Sequence, residues 1–407
     1  MTDTSLGTNK LYAFLPYFSG WAQRSLDFLA KLEVGTLELV LPNGEHFRFA
    51  GTLPGPSAQL QIKQWRALKD LLSGSNVAFA EAFIEEKIDT PDLPTLIELL
   101  ALNRMAPKLD QSKSLLKRLS HRLTHWRNEN SKQGSRRNIS FHYDMGNEFY
   151  RRWLDPSMTY SSALYETSDQ GLEAAQESKY RAIAERLNLS PGDRVLEIGC
   201  GWGGFAEFVI RNYDVYVVGL TLSTEQRDFA LARAEAEGFA ERFEVRLQDY
   251  RDVWGQFDAI ASIEMLEAVG ERYWPGYFQT LHDRLKPGGK ASLQVITIDE
   301  TRFDGYRKNP DFIQMYIFPG GMLPSVEIVR SLAQQAGLTY GEEHRFGHDY
   351  ARTLAEWRDA FTAQWESINA LGYDQRFHRL WTYYLGYCEG GFRSKNIDVC
   401  QFSLTKD

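Results

Sequence analysis

Cysteine is scarce in this chain: three in 407 residues. Cys200, Cys388 and Cys400 are spaced neither for a disulfide framework nor for a metal site. Runs of about 20 apolar residues are lacking, so nothing reads as a membrane span. The amino terminus has no apolar signal core and no cleavage pattern. The expected location is therefore cytoplasmic, with any membrane contact peripheral. Net positive charge is also lacking; the formal charge is −8, which argues against a nucleic-acid partner. What the chain has is length enough for two or three cores and a high aromatic share, 13%.

Its centre is Arg194-Val-Leu-Glu-Ile-Gly-Cys-Gly-Trp-Gly-Gly204. Val195 to Ile198 is a short apolar run of the kind buried in a parallel sheet. It breaks into Gly199, Gly201, Gly203 and Gly204, and Phe205 onward has helical periodicity. Strand, glycine turn and helix open a doubly wound α/β domain, whose ligands sit at the carboxyl ends of the strands. Further strands are expected at Val215–Leu220, Phe243–Leu247, Asp258–Ile263 and Lys290–Ile296, with a helix from Glu225 to Glu237.

Before this domain, residues 1–107 read as a small α+β domain without a catalytic constellation. Alternation on both sides of Asn43-Gly44 predicts a hairpin over 35–49, and 58–63 a third strand. Helices are expected from Trp65, from Ala78 to Ile84, and after Asp92, where Thr95 and Glu98 have capping-box spacing. Residues 108–137 carry nine lysines and arginines against Asp110 and Glu129. Leu115, Leu116, Leu119, Leu123 and Trp126 recur at helical spacing within them. This basic amphipathic segment is either a linker helix docked between domains or an interfacial helix drawn to anionic lipid heads.

Two further absences narrow the nucleotide. The second strand ends in Thr221-Leu-Ser, without the acid a dinucleotide site needs, and no Walker lysine follows the glycines. Gln248-Asp-Tyr-Arg-Asp252 ends the third strand, where an adenine or its ribose could be received.

Several separated stretches together resemble the cyclopropane fatty acid synthases, including the mycolic acid cyclopropane synthases. They are His142-Tyr-Asp-Met-Gly-Asn147, Pro156-Ser-Met-Thr-Tyr-Ser161, Leu196–Gly204, and Leu220-Thr-Leu-Ser223 with Gln226. Gln248–Asp252, Tyr316–Ser325 and Tyr350-Ala-Arg-Thr-Leu354 complete the set. The resemblance covers roughly 138–407. It implies a Rossmann-like class I methyltransferase domain there, with the small amino-terminal α+β domain as an accessory, lipid-binding part.

It also implies S-adenosylmethionine as cofactor and the cis double bond of a phospholipid acyl chain as substrate. The expected product is a cyclopropane fatty acid. The expected setting is the inner face of the membrane, with a homodimer as the assembly it allows. By motif, Gly199 and Gly201 would line the methionine part of the cofactor, and Thr221 and Gln226 its methionine or ribose. Gln248 and Asp249 would line the adenosine, and Tyr160 and Ser161 would close over it.

In the family a bound bicarbonate is the base, held by a cysteine, a glutamate, a histidine and a tyrosine. Here the glutamate and tyrosine correspond to Glu267 and Tyr350. The cysteine position is Ser162, the histidine position is Gln294, and a new carboxylate, Glu264, ends the fourth strand. Two readings follow. Ser162 and Gln294 still bind an anion, or Glu264 replaces it as base and cation stabiliser, giving a methyl-branched or methylene-bearing chain. A non-catalytic lipid-binding homologue is the reading from another class. Residues 299–325, rich in aromatics, are where an acyl tunnel would be roofed. Trp357, Phe361 and Trp365 read as a core stripe.

Overall fold

The computed structural model describes residues 31–67, 76–103 and 145–407. The basic segment 108–137, the first residues of the His142 motif and most of the helix expected from Trp65 lie outside the described residues. Among the described residues no helix is long and apolar enough to cross a membrane. None of their His, Cys, Asp and Glu groups could hold a metal ion.

Contacts divide the chain into two compact units, and the division is not the one the motifs suggest. Gly372–Asn396 groups with the amino-terminal residues, and Ile397–Asp407 with the body of the chain. In the first unit β1 (Val34–Val40) and β2 (His46–Ala50) form the expected hairpin, with Gly44 at φ 83° in its turn. Leu37 and Leu39 of β1 are buried, and Glu38 between them is not. β3 (Leu53–Ile62) starts earlier than expected and runs parallel to β1, while β4 (Ile88–Asp89) closes the order β2-β1-β3-β4.

The helix Leu93–Leu102 is capped by Asp92, which accepts from Thr95 N at 3.1 Å, so the Thr95/Glu98 box does not form. Pro94 has no N–H and fits only a first turn, which sets the helix start ahead of Thr95. The helix Gln375–Arg393 joins this unit because its small residues admit close approach. A Cβ at Gly390 would lie 2.7 Å from Ile97 Cβ, and one at Gly386 2.9 Å from Leu93 Cδ2.

The second unit is a seven-stranded sheet of order β10-β11-β9-β8-β5-β6-β7. Its strands are β5 (Arg194–Ile198), β6 (Tyr216–Thr221), β7 (Phe243–Leu247), β8 (Phe257–Ile263), β9 (Leu285–Ile298), β10 (Thr339–Arg345) and β11 (Ile397–Thr405). β5 to β9 are parallel, and β10 and β11 form an antiparallel edge. β9 begins at Leu285, ahead of the expected Lys290. Separate apolar clusters cover the two faces. One holds Leu196, Ile260 and Leu293; the other holds Val195, Val217 and Phe205. Strand order turns back between β5 and β8, and a ligand crevice opens at such a switch.

Candidate active site

The glycine turn needs its glycines. Gly199, Gly201 and Gly203 sit at φ 85°, 52° and 87°, where a Cβ is strained. At Gly201 a Cβ would meet no described atom within 4 Å, so the turn presents bare backbone to open space. Beside it, Thr221 Oγ1 donates to Gln226 Oε1 at 2.9 Å, and Ser223 caps the helix Thr224–Ala236. At the end of β7, Asp249 is paired with Arg251 (2.6 Å), and Gln248 Nε2 donates to Asp252 O (2.7 Å). Tyr160 packs among Tyr150, Trp153 and Trp357, with ring centroids 5.3–5.5 Å away. The expected cofactor residues thus stand at the ends of β5, β6 and β7 or on the segment beside them. Cys200 does not belong with them: its Sγ lies against Gly219 of β6, and burial holds its thiol well above the usual range.

The second cluster lies at the ends of β8 and β9. Glu264 leaves β8 at φ 51°, a left-handed conformation that costs a non-glycine residue about 1–3 kcal/mol. Its amide donates to Gln294 O at 2.7 Å. Its carboxylate Oε1 accepts from Ser162 N and from Gln294 Nε2, both at 2.8 Å, and Oε2 accepts from Tyr350 OH at 2.6 Å. Three of the positions expected to hold bicarbonate therefore hold Glu264. Burial raises its carboxyl, while Tyr350, Ser162, Gln294 and the Lys179 ammonium pull it back. Burial wins, which moves the group toward the range useful to a general base.

Ser162 takes part differently from expectation. Its hydroxyl donates to Ala163 O at 2.9 Å, and only its amide reaches the carboxylate. Glu267 accepts from Ile296 N, and its buried Oε2 has no hydrogen-bond partner among the described residues. Burial first and the neighbouring Glu264 second push its carboxyl up to about 8, so it is protonated at neutral pH. Its folded value thus exceeds the ordinary 4.5, and stability is highest below about 4.5 and falls as pH rises toward about 8. Glu267→Gln removes that loss. Its melting temperature, compared with the wild type, is expected to gain steadily from about pH 5 to about pH 9 in thermal melts. A constant difference would contradict the assignment.

Lys179 and Gln176 escaped the motif reading. Both lie on the helix Leu172–Leu187 and are fully buried. Lys179 Nζ donates to Ser161 Oγ at 2.7 Å, and Gln176 Nε2 to Ser161 O at 3.0 Å. The signal was a lysine in the apolar stripe Ala175, Tyr180, Ile183, Ala184, Leu187. Residues 299–325 form a helix, Glu300–Lys308, and a π-turn, Ile313–Ile317, with Phe312 stacked on Tyr316 at 5.4 Å. Phe303 is core, 6.4 Å from the Trp274 ring. Trp357 and Phe361 are buried as the core stripe requires; Trp365 is half-buried.

A family model described as mycolic acid cyclopropane synthetase matches residues 130–402, which include every site residue above. The tuberculostearic acid methyltransferase UfaA1 of Mycobacterium tuberculosis is 40% identical over 289 residues, 69% of this chain and 67% of that protein. The cyclopropane-fatty-acyl-phospholipid synthase of Escherichia coli K12 is 44% identical over 268 residues, 65% of this chain and 66% of that protein. The matched stretch thus spans about two thirds of each relative. Among solved structures, mycolic acid cyclopropane synthase CmaA1 complexed with SAH and CTAB has a TM-score of 0.63 at 32% identity, covering 67% of this chain and 98% of that one. The chain belongs to the mycolic acid cyclopropane synthetase family, with the fold of the S-adenosylmethionine-dependent class I methyltransferases.

Proposed function

We propose that the protein methylates the cis double bond of an unsaturated acyl chain carried by a membrane phospholipid, and that Glu264 accepts the proton released afterwards. The carrying observation is the Glu264 carboxylate, held by Ser162 N, Gln294 and Tyr350 at 2.6–2.8 Å. S-adenosylmethionine, when bound, supplies an electrophilic methyl group. The open backbone at Gly201 fits its methionine part, with Gly199, Thr221 and Gln226 beside it. Gln248 and Asp249 border the adenosine side, and Tyr160 and Ser161 close the site. This enclosure excludes water, which would otherwise capture a cation on the chain.

An alkene that gains a methyl group is left with a carbocation on the neighbouring carbon. A carboxylate nearby stabilises that charge and then takes one proton. Tyr350 and Gln294 keep Glu264 pointed and favour its ionised form against burial. Glu267, neutral at pH 7, adds no second negative charge.

One carboxylate can serve two products. A proton taken from the transferred methyl closes a cyclopropane ring. This is the outcome favoured by a base standing among the positions where the family's bicarbonate is held. A proton taken from the chain leaves a methyl-bearing alkene, and the relative named tuberculostearic acid methyltransferase favours this second reading. Either way the base is part of the protein. Turnover on vesicles of cis-monounsaturated phospholipid, in buffer freed of carbon dioxide, is expected not to change when bicarbonate is restored. A rate that climbs with bicarbonate overturns the role of Glu264. The expected location is the membrane surface, and vesicle co-sedimentation checks it.

A further inference from the structure

Lys179 has no place in the chemistry so far, yet it is the charged group most completely enclosed near the reactive carboxylate. It is 0% exposed, on a helix that packs on β9. Its ammonium is fastened to Ser161 Oγ at 2.7 Å and lies over the Tyr180 ring, 4.4 Å from the centroid. Three carboxylates on three different segments act on it: Glu264 at the end of β8, Asp155 on the segment before Tyr160, and Glu197 on β5. Glu197 is itself buried, with Oε2 unpartnered among the described residues.

The next residue after Ser161 supplies the amide that holds Glu264. Gln176, one turn before Lys179, grips Ser161 O at 3.0 Å. Gln401 on β11 donates both to Lys179 O (3.4 Å) and to Gln294 Oε1 (3.1 Å). The helix therefore clamps the Ser161–Ser162 segment, and one network joins that clamp to two of the donors on Glu264.

We propose that Lys179 is the positioning residue of the Glu264 base: its buried ammonium fixes the Ser161–Ser162 segment and supplies a positive charge that favours the ionised form of Glu264. This rests on the reading of Glu264 as the proton acceptor. An isolated buried carboxylate favours its neutral form, and an opposite charge nearby reverses that preference. Burial lowers Lys179 to about 7, with Glu264 the largest of the three carboxylates raising it. Asp155 and Glu197 are the other charges facing Lys179, and Glu267 and Tyr350 are the groups facing Glu264.

The test uses the full chain and two readouts. The first is an infrared titration of the protonated carboxyl band that disappears in Glu264→Gln. In Lys179→Gln that band is expected to persist to a pH about one unit higher than in the wild type. Lys179→Arg, which keeps the charge, is expected to return it toward the wild-type position. The second readout is the pH profile of kcat/KM on phospholipid vesicles, whose acidic limb is expected to move by the same amount. If Lys179→Gln does not fold, Ser161→Ala removes the hydrogen bond that seats the ammonium and is expected to shift the band in the same direction. A band titrating at the wild-type pH in both variants overturns the proposal. The infrared readout needs no turnover, so it judges Lys179 even if Glu264→Gln proves fully active and the base reading itself fails.

Discussion

Glu264→Gln is expected to lower kcat for methyl transfer to a cis-monounsaturated phospholipid by about 10²–10⁴-fold, the usual contribution of a positioned general base. The substitution removes the negative charge and the proton acceptor together while sparing the side chain's shape. Glutamine keeps the length and shape of the side chain, and its amide oxygen can still accept from Ser162 N and Gln294 Nε2, as Oε1 does in the wild type. Tyr350 OH, now a donor to Oε2, can turn and accept from the new amide nitrogen. The left-handed backbone at position 264 is tolerated no worse by glutamine than by glutamate. With the cofactor proposed to bind at β5–β7, its affinity is expected to stay within about threefold, below the 1.4 kcal/mol that a tenfold change represents. Rapid-quench measurement with labelled cofactor checks this. Wild-type turnover in Glu264→Gln would refute the mechanism.

Gly201→Val is expected to weaken cofactor binding at least about 100-fold, roughly 2.7 kcal/mol at 1.4 kcal/mol per tenfold. Two causes act together. Position 201 has φ 52°, which a β-branched residue adopts only as an outlier. The new side chain would also project into the space left open above the turn, where no described atom lies within 4 Å. The second cause is specific to binding, and Gly276→Ala serves as the control. That glycine lies in the helix Trp274–Arg284, is not at positive φ, and a Cβ there also meets nothing within 4 Å. Calorimetric titration is expected to give wild-type affinity for Gly276→Ala and little measurable binding for Gly201→Val. Near-wild-type affinity in Gly201→Val would place the cofactor elsewhere.

β5, β6 and β8 were legible because they are largely buried and read as mostly apolar runs, whereas β7, Phe-Glu-Val-Arg-Leu, shows alternation instead. Phe243–Leu247 matches the expected bounds, β5 and β8 differ from theirs by one residue at the start, and β6 is shifted by one residue at both ends. The helix Gln375–Arg393 falls within the 138–407 span of the resemblance, although the last of its motifs ends at Leu354. Its membership of the first unit depends on Gly386 and Gly390 meeting Leu93 and Ile97, nearly 300 residues away in sequence, and no local pattern encodes such a partner. Likewise β3 pairs parallel to β1, which alternation alone cannot distinguish from a meander.

At the site, Glu264 stood out as an extra carboxylate, and Gln294 and Tyr350 as positions worth watching. The sequence left open whether Ser162 and Gln294 bind an anion or Glu264 takes its place; the contacts of Glu264 with Ser162 N, Gln294 and Tyr350, made from a backbone at φ 51°, support the second reading. Lys179 was visible only as a lysine in an apolar stripe, where the ordinary reading is a side chain reaching out to solvent.

The central claim concerns the proton lost after methyl transfer: deuterium shows where it comes from, and comparison with Glu264→Gln shows whether that residue takes it. The purified protein is given S-adenosylmethionine with a trideuterated methyl group and vesicles of cis-monounsaturated phospholipid, without bicarbonate. The acyl product is then analysed by mass spectrometry and NMR. Labelled acyl chains are expected from the wild type and not from Glu264→Gln. Two retained deuterons with ring resonances indicate closure to the cyclopropane, and three indicate a proton taken from the chain. An unlabelled acyl fraction from active, cofactor-binding protein, or equal labelling by Glu264→Gln, would contradict the account.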